Sequence, residues 1–361
     1  MKVVFFYHSL LSDWNHGNAH FLRGIASELL ERGHQVAVYE HAQNWSLTNL
    51  RAEQGDNVLQ EFAKTYPRLS TNFYQTLNLK EVLLDANLVL VHEWNEPSLV
   101  AQIGQQRKRS GHFKLLFHDT HHRAVTARAQ MLKYDLKQYD GVLAYGRILA
   151  DYYRKAGWTR RAWTWHEAAD IRVFHPINGC IKSKDLVWVG NWGDNERAVE
   201  LREFLVEPVR EMGLRAAVYG VRYPTDALKA LHGAGIKYLG WIANYKVPRV
   251  FAQARITLHV PRRPYVDTLP GIPTIRPFEA LACGIPLISS YWHDAENLFT
   301  PGKDYLVAHS GPEMMRHLQA VLKNEALAED LTSHGLATIL SRHTCSHRVD
   351  LLLEIYEQIA L

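Results

Sequence analysis

Cysteine is scarce in this sequence. Cys180, Cys283 and Cys345 are the only three among 361 residues, they stand far apart, and no CxxC pair occurs. That usage excludes a disulfide framework and a cysteine-based zinc site, and it points to a reducing compartment. Long apolar runs are lacking as well. No stretch approaches the roughly 18 to 20 residues that a membrane helix needs, so no integral membrane segment is expected. The opening "MKVVFFYHSLL" has one lysine and a short apolar run, but polar residues follow at once without a small-residue cleavage site. It reads as a strand rather than a signal peptide, and a cytoplasmic location is the expectation. Charge of one sign is not in excess either. The formal net charge is +4 and the longest basic cluster is Arg107-Lys108-Arg109, which reads as a solvated helix end. A nucleic-acid groove is therefore not expected. Internal repeats and low-complexity segments are also missing.

What is present is an alternation. Hydrophobic residues make up 47% and charged residues 22%, which are globular values. The length suits two domains of roughly 150 to 180 residues each. Apolar runs of four to six residues alternate with amphipathic segments of ten or more, the pattern of a doubly wound α/β fold. Strands are expected at 2–7, 34–40, 88–93, 114–119 and 141–146. A helix is expected over "HFLRGIASELLERG", with Phe21, Leu22, Ile25, Leu29 and Leu30 on one stripe and Gly33 as its stop. The segment "HEAADIRVFHPINGC" reads as a linker, after which strands are expected at 185–190, 216–220, 236–240, 256–260 and 286–290. The fold class that follows is α/β, with two Rossmann-like domains whose parallel sheets face a central cleft. The expected domains are residues 1–176 and 177–340, with a C-terminal helix at 341–361 packing back across the hinge.

Neither GxGxxG nor a Walker loop occurs, so the usual NAD and ATP fingerprints are absent. Five other stretches carry candidate chemistry. In "VGNWGDNERAV", Gly190 and Gly193 permit a tight turn around Asn191, and the following helix would present N–H groups to an anion, with Arg197 in its first turn as a phosphate partner. In "TIRPFEALACG", a helix beginning near Pro277 would place Glu279 in the first turn, where the dipole favours a carboxylate and where it would accept hydrogen bonds from two ribose hydroxyls. Arg276 would either orient Glu279 or reach a phosphate. The loop "SLLSDWNHGNAHF" offers Asp13, His16 and His20 as candidates for a general base. Finally, "FHDTHHRAV" puts His118 and Asp119 at a strand end, followed by His121 and His122, and "VHEWNEP" adds His92, Glu93 and Glu96. No Cys or carboxylate completes a zinc set around these histidines, so no metal is expected.

From about Trp241 onward the sequence resembles the C-terminal domain of GT-B glycosyltransferases of the group 1 type, most closely the spore-maturation CgeB-like branch. The segments that carry the resemblance are "GWIANYKVPRVFAQARITLHV", "TIRPFEALACGIPLISSYWHDAENLFTPGKDYLV" and "SRHTCSHRVDLLLEIY". The resemblance implies transfer of a sugar from a nucleoside diphosphate sugar, without a metal or other cofactor, to an acceptor that is a glycan, a metabolite or a protein. It implies that Glu279 holds the donor ribose, that Arg197 neutralises the diphosphate, and that the base lies against Tyr245 or Trp241. His118 and Asp119 resemble the family's strand-end pair that contacts the donor sugar. Retaining members carry a second Glu eight positions before the first. This chain has Gly271 there, with Asp267 nearby in sequence, which leaves the retaining or inverting outcome open. A nucleotide-sugar epimerase or hydrolase on the same scaffold, and a binding protein without turnover, are the rival readings.

Overall fold

The computed structural model describes residues 1–359 and divides into two compact units, one comprising Met1–Glu167 and the segment beginning at Cys345, the other Ala168–Thr344. The first unit is built on seven parallel strands: β1 (Lys2–Phe6), β2 (Gln35–His41), β3 (Asn72–Tyr74), β4 (Leu88–His92), β5 (Lys114–Asp119), β6 (Gly141–Ala144) and β7 (Ala162–Thr164). Their order across the sheet is β3-β2-β1-β4-β5-β6-β7. The central strands β4 and β5 are buried along their whole length, as expected of a parallel sheet covered on both faces. Register places His92 beside His118 at the carboxyl edge.

The second unit holds β8 (Lys184–Val189), β9 (Ala216–Tyr219), β10 (Lys237–Tyr238), β11 (Ala254–His259), β12 (Leu287–Ser290) and β13 (Leu306–Ala308), in the order β10-β9-β8-β11-β12-β13. These strands are also parallel, and His259 pairs with Ser289 at the carboxyl edge. Both sheets reverse direction of strand addition at their first strand. In open α/β sheets that reversal is where ligands bind, outside the carboxyl ends of the strands.

Two local expectations are corrected. The segment after β8 is not one regular helix. It runs through a 3-10 turn (Asp194–Glu196), a short helix (Ala198–Leu201), a π turn (Arg202–Val206) and a last helical piece (Glu207–Met212). Arg197 sits between the first two, with φ −155°, as a cap rather than in a first turn. The helix carrying Glu279 begins at Ile275, two residues before Pro277, so Glu279 falls in its second turn. Its cap, Thr274, has φ +59°, a conformation that a β-branched residue adopts only when its surroundings impose it.

The C-terminal helix (Cys345–Gln358) belongs to the first unit. Trp165 Nε1 donates to the Arg348 carbonyl at 2.8 Å, and Arg348 Nε donates back to the His166 carbonyl at 2.9 Å. Arg32 joins the helix to the one spanning Ala19–Glu31 through Asp350 at 2.5 Å and Ser346 Oγ at 2.7 Å. Among the described residues no helix is long and apolar enough to cross a membrane.

Candidate active site

In the second unit, a loop leaves β8 at Gly190 and turns through Gly193, at φ +84°, and Asp194, at φ +52°. A Cβ on Gly193 would lie 2.5 Å from Arg197 Cγ and 2.6 Å from its Nε, and one on Gly190 would lie 3.5 Å from Arg197 Nη2. Gly193 is thus needed because the Arg197 side chain lies across it, whereas a Cβ on Gly190 would first crowd the Trp188 ring, at 3.0 Å. Arg197 Nη1 donates to the Val260 carbonyl at 3.0 Å, and Nη2 donates to Asn191 O at 2.9 Å and to its Oδ1 at 2.7 Å. Arg262 donates to the same Oδ1 at 3.1 Å and to Glu196 Oε2 at 2.5 Å. One amide oxygen therefore draws two guanidinium groups together. Burial, followed by the neighbouring Arg262 and then Arg276, pulls the Arg197 pKa down to about 9. Among the described residues no carboxylate pairs with Arg197, whose three bonds go to neutral oxygens.

Glu279 lies beside this group, fully enclosed. One of its oxygens accepts from Asn244 Nδ2 at 2.6 Å and the other pairs with Arg276. Arg276 thus orients against Glu279, the first of the two alternatives that the sequence left open. The ring of His259 hydrogen-bonds with Ser289 Oγ at 2.9 Å, and burial, then Arg197 and Arg276, lowers its pKa to about 3. Tyr245 lies on the 3-10 turn Asn244–Lys246 that brings Asn244 to Glu279, and half-buried Trp241 precedes it. Gly271 has φ +92°, and a Cβ there would lie 2.9 Å from Glu296 Cγ and 3.1 Å from its Oε1. The carboxylate of Glu296 therefore stands where a side chain at position 271 would begin. Asp267 is exposed at the end of its own short helix.

In the first unit, the carboxyl edge of the sheet gathers histidines. His8, His16, His92 and His118 follow one another with ring centroids 5.3, 6.0 and 5.6 Å apart. His118 is fully buried, packed on Phe21 at 6.0 Å and Trp165 at 4.8 Å, with both ring nitrogens lacking a hydrogen-bond partner. Asp119 accepts from Tyr153 OH at 2.7 Å and from the His121 amide at 3.0 Å. Burial, and secondarily Glu93, pushes its pKa up to about 7, and burial does the same to Glu93. His92 bonds with Thr120 Oγ1 at 3.0 Å and stands 2.8 Å from Glu93. Asp13 does not stand open as a base. It pairs with buried Arg23 at 2.9 Å, while Arg23 also donates to the Leu10 and Leu11 carbonyls, so the pair anchors the loop after β1. His16 stays beside His8 within that loop, His20 is buried on the helix that follows, and Glu96 is an exposed helix cap. Among the described residues no group of three His, Cys, Asp or Glu side chains is placed to hold a metal.

The buried imidazoles set a pH response. Desolvation lowers His8 and His92 to about 3, and takes His16 and His118 well below the usual value. Unfolding exposes four groups that bind protons near pH 6.5, so the stability they contribute is fully present above that pH and is lost as pH falls. Glu40, Glu93 and Asp119 oppose this, because burial raises their pKa values and so favours the folded state at low pH, but they are three against four, and burial lowers His34 as well. The first unit is expected to melt at progressively lower temperature between pH 7 and pH 5. His118→Phe should make that dependence shallower and raise the melting temperature at pH 5, since it removes a buried group with no partners. Calorimetry that showed equal slopes for both proteins would contradict the assignment.

Comparison with known proteins supplies the frame for these residues. Residues 197–354 match a family described as Glycosyl transferase-like. Sucrose-phosphate synthase from Thermosynechococcus elongatus superimposes with a TM-score of 0.70 at 14% identity, over 99% of this chain and 98% of that one. The Anabaena protein HepE in complex with UDP-glucose gives 0.67 at 14%, over 99% and 100%. T4 phage BGT in complex with UDP and Mn2+ gives 0.62 at 14%, over 100% of both chains. The fold is GT-B. No curated protein sequence matches the chain significantly. Arg262, Asn244, His259 and Glu296 are the residues of this cluster that the sequence alone did not single out. Only the small loop "HVPRRP" around Arg262, a charged pair directly after an apolar strand, carried a signal.

Proposed function

We propose that the protein is a glycosyltransferase that moves a hexosyl group from a nucleoside diphosphate sugar to an acceptor bound by the first unit. The observation that carries this reading is the meeting of Arg197 and Arg262 on Asn191, with Arg276 in electrostatic reach, at the carboxyl edge of the second sheet. Arg262 and Arg276 are each paired with a carboxylate, whereas the Arg197 guanidinium bonds only neutral oxygens, and that uncompensated charge in a partly dry site suits a diphosphate, on which charge develops as the sugar departs. Such charge does the work of a divalent cation, so the reaction is read as metal-independent. The ribose is placed at Glu279, where Asn244 Nδ2 occupies the position of a hydroxyl donor and exchanges with it. The base is placed toward Tyr245 and Trp241. Glu296, beside Gly271, supplies the carboxylate at the sugar. Within the first unit, His16 is the candidate base and His118, beside Asp119, the candidate sugar contact.

The segment "TIRPFEALACGIPLISSYWHDAENLFTPGKDYLV" supports placing the chain nearest the spore-maturation CgeB-like branch. Three free cysteines suit work in the cytoplasm. A thermal-shift screen with UDP, GDP and ADP and their hexose conjugates, run in EDTA and in Mn2+, tests the reading. One nucleotide class should raise the melting temperature equally in both buffers, because a ligand that binds only the folded state stabilises it. No shift with any of them would overturn it.

A further inference from the structure

The first unit has a second feature at its carboxyl edge. Trp45, at the start of the Trp45–Gln54 helix, is 36% exposed, and Trp94, just beyond β4, is half-buried. The two indoles meet edge to face at 6.3 Å, and His8 lies 4.6 Å from Trp45 and 6.2 Å from Trp94. Arg123 lies over the Trp94 ring at 3.8 Å, and Trp14 meets Trp45 edge to face at 6.1 Å. Two adjoining indoles keep accessible surface here while His8 and His16 beside them are buried.

Beneath them are polar atoms that the protein leaves unsatisfied. His8 Nε2, His16 Nε2, Trp14 Nε1 and Arg123 Nε are buried and have no hydrogen-bond partner, although His8 and His16 are each only 6% exposed and Trp14 8%. Buried polar atoms are nearly always satisfied, and a cluster of exceptions marks a place where a ligand or water completes the set. Burial keeps His8 and His16 neutral, so each open Nε2 serves as a donor or an acceptor according to its tautomer.

We infer that Trp45 and Trp94 form the platform of a saccharide acceptor, with His8, His16 and Trp14 bonding its hydroxyls. This rests on the transferase reading, which requires an acceptor, and names its chemical class. A pyranose has an apolar C–H face that stacks on an indole and a rim of hydroxyls that each donate and accept. A lipid chain would bury the indoles but leave the imidazoles unsatisfied. A planar aromatic acceptor would stack equally well but has too few hydroxyls for three separated polar atoms.

The test uses the full chain on a glycan array that spans glucosyl, galactosyl, mannosyl, N-acetylhexosaminyl and rhamnosyl oligosaccharides, with calorimetry against UDP, GDP and ADP in parallel. Trp45→Ala and Trp94→Ala should each lower binding of the retained oligosaccharide at least tenfold, and Trp45→Phe should keep most of it. The nucleotide that binds the parent protein should bind all three variants unchanged. Failure of every oligosaccharide to bind, or binding that ignores both tryptophans, overturns the inference. If no nucleotide binds the parent while a Trp45-dependent glycan does, the donor reading fails and the saccharide platform stands.

Discussion

Replacing Arg197 with alanine is expected to weaken nucleoside diphosphate binding by at least tenfold, with Arg197→Lys restoring only part of the loss. A hydrogen bond to a charged group contributes about 1.5 to 3 kcal/mol, and each 1.4 kcal/mol is a factor of ten in affinity. Lysine keeps the charge but cannot hold Val260 O and Asn191 at once while facing an anion, because the fork geometry belongs to the guanidinium. Gly193→Ala supplies a companion that keeps the charge but displaces it. Its Cβ would meet the Arg197 arm at 2.5 Å in a backbone conformation, φ +84°, that favours glycine, so the guanidinium must move. Both variants should lose affinity in calorimetry while circular dichroism shows a folded protein. An unchanged dissociation constant in a folded Arg197→Ala protein would remove Arg197 from the donor site.

The same loop shows how far the sequence could be read. Gly190, Gly193 and Arg197 were visible as a turn with an attached charge, but the natural inference from two glycines is room for a ligand. At Gly193 the structure shows room for Arg197 itself, and that depends on where a seven-atom side chain folds back, which spacing does not encode. Central strands such as β4 and β5 were legible because continuous burial writes continuous apolar residues. Three strands, β3, β7 and β13, were not, because each has three residues and lies at a sheet edge where partial exposure erases the pattern. The helix start at Ile275 was misplaced because Pro277 looked like a first-turn residue, whereas Thr274 takes a left-handed φ that no propensity assigns to threonine. Asp13 was readable as an ionisable loop residue, yet its partner Arg23 sits on the next helix, and the pair turns a candidate base into an anchor. Contacts across longer separations, such as Arg262 with Asn191 or Glu296 with Gly271, depend on sheet order and have no local trace.

Glu279→Gln should separate the two things that this carboxylate is proposed to do. In the unliganded protein it neutralises Arg276 and accepts from Asn244 in a fully enclosed position. Removing one partner of a buried ion pair costs about 3 to 5 kcal/mol, because the other charge stays buried without compensation. Glutamine keeps an acceptor for Asn244, so the variant loses less than Glu279→Ala, in which both partners are stranded, and the melting temperatures should fall in that order. Ligand binding then divides the roles. Inorganic pyrophosphate presents only the anion, and an Arg276 freed of Glu279 should bind it at least as well as before. UDP, or whichever nucleoside diphosphate the screen selects, also presents a ribose, and its binding should weaken at least tenfold. Equal retention of both ligands would make Glu279 a positioning residue for Arg276 with no ribose contact, and equal loss of both would mean that the anion site itself had collapsed.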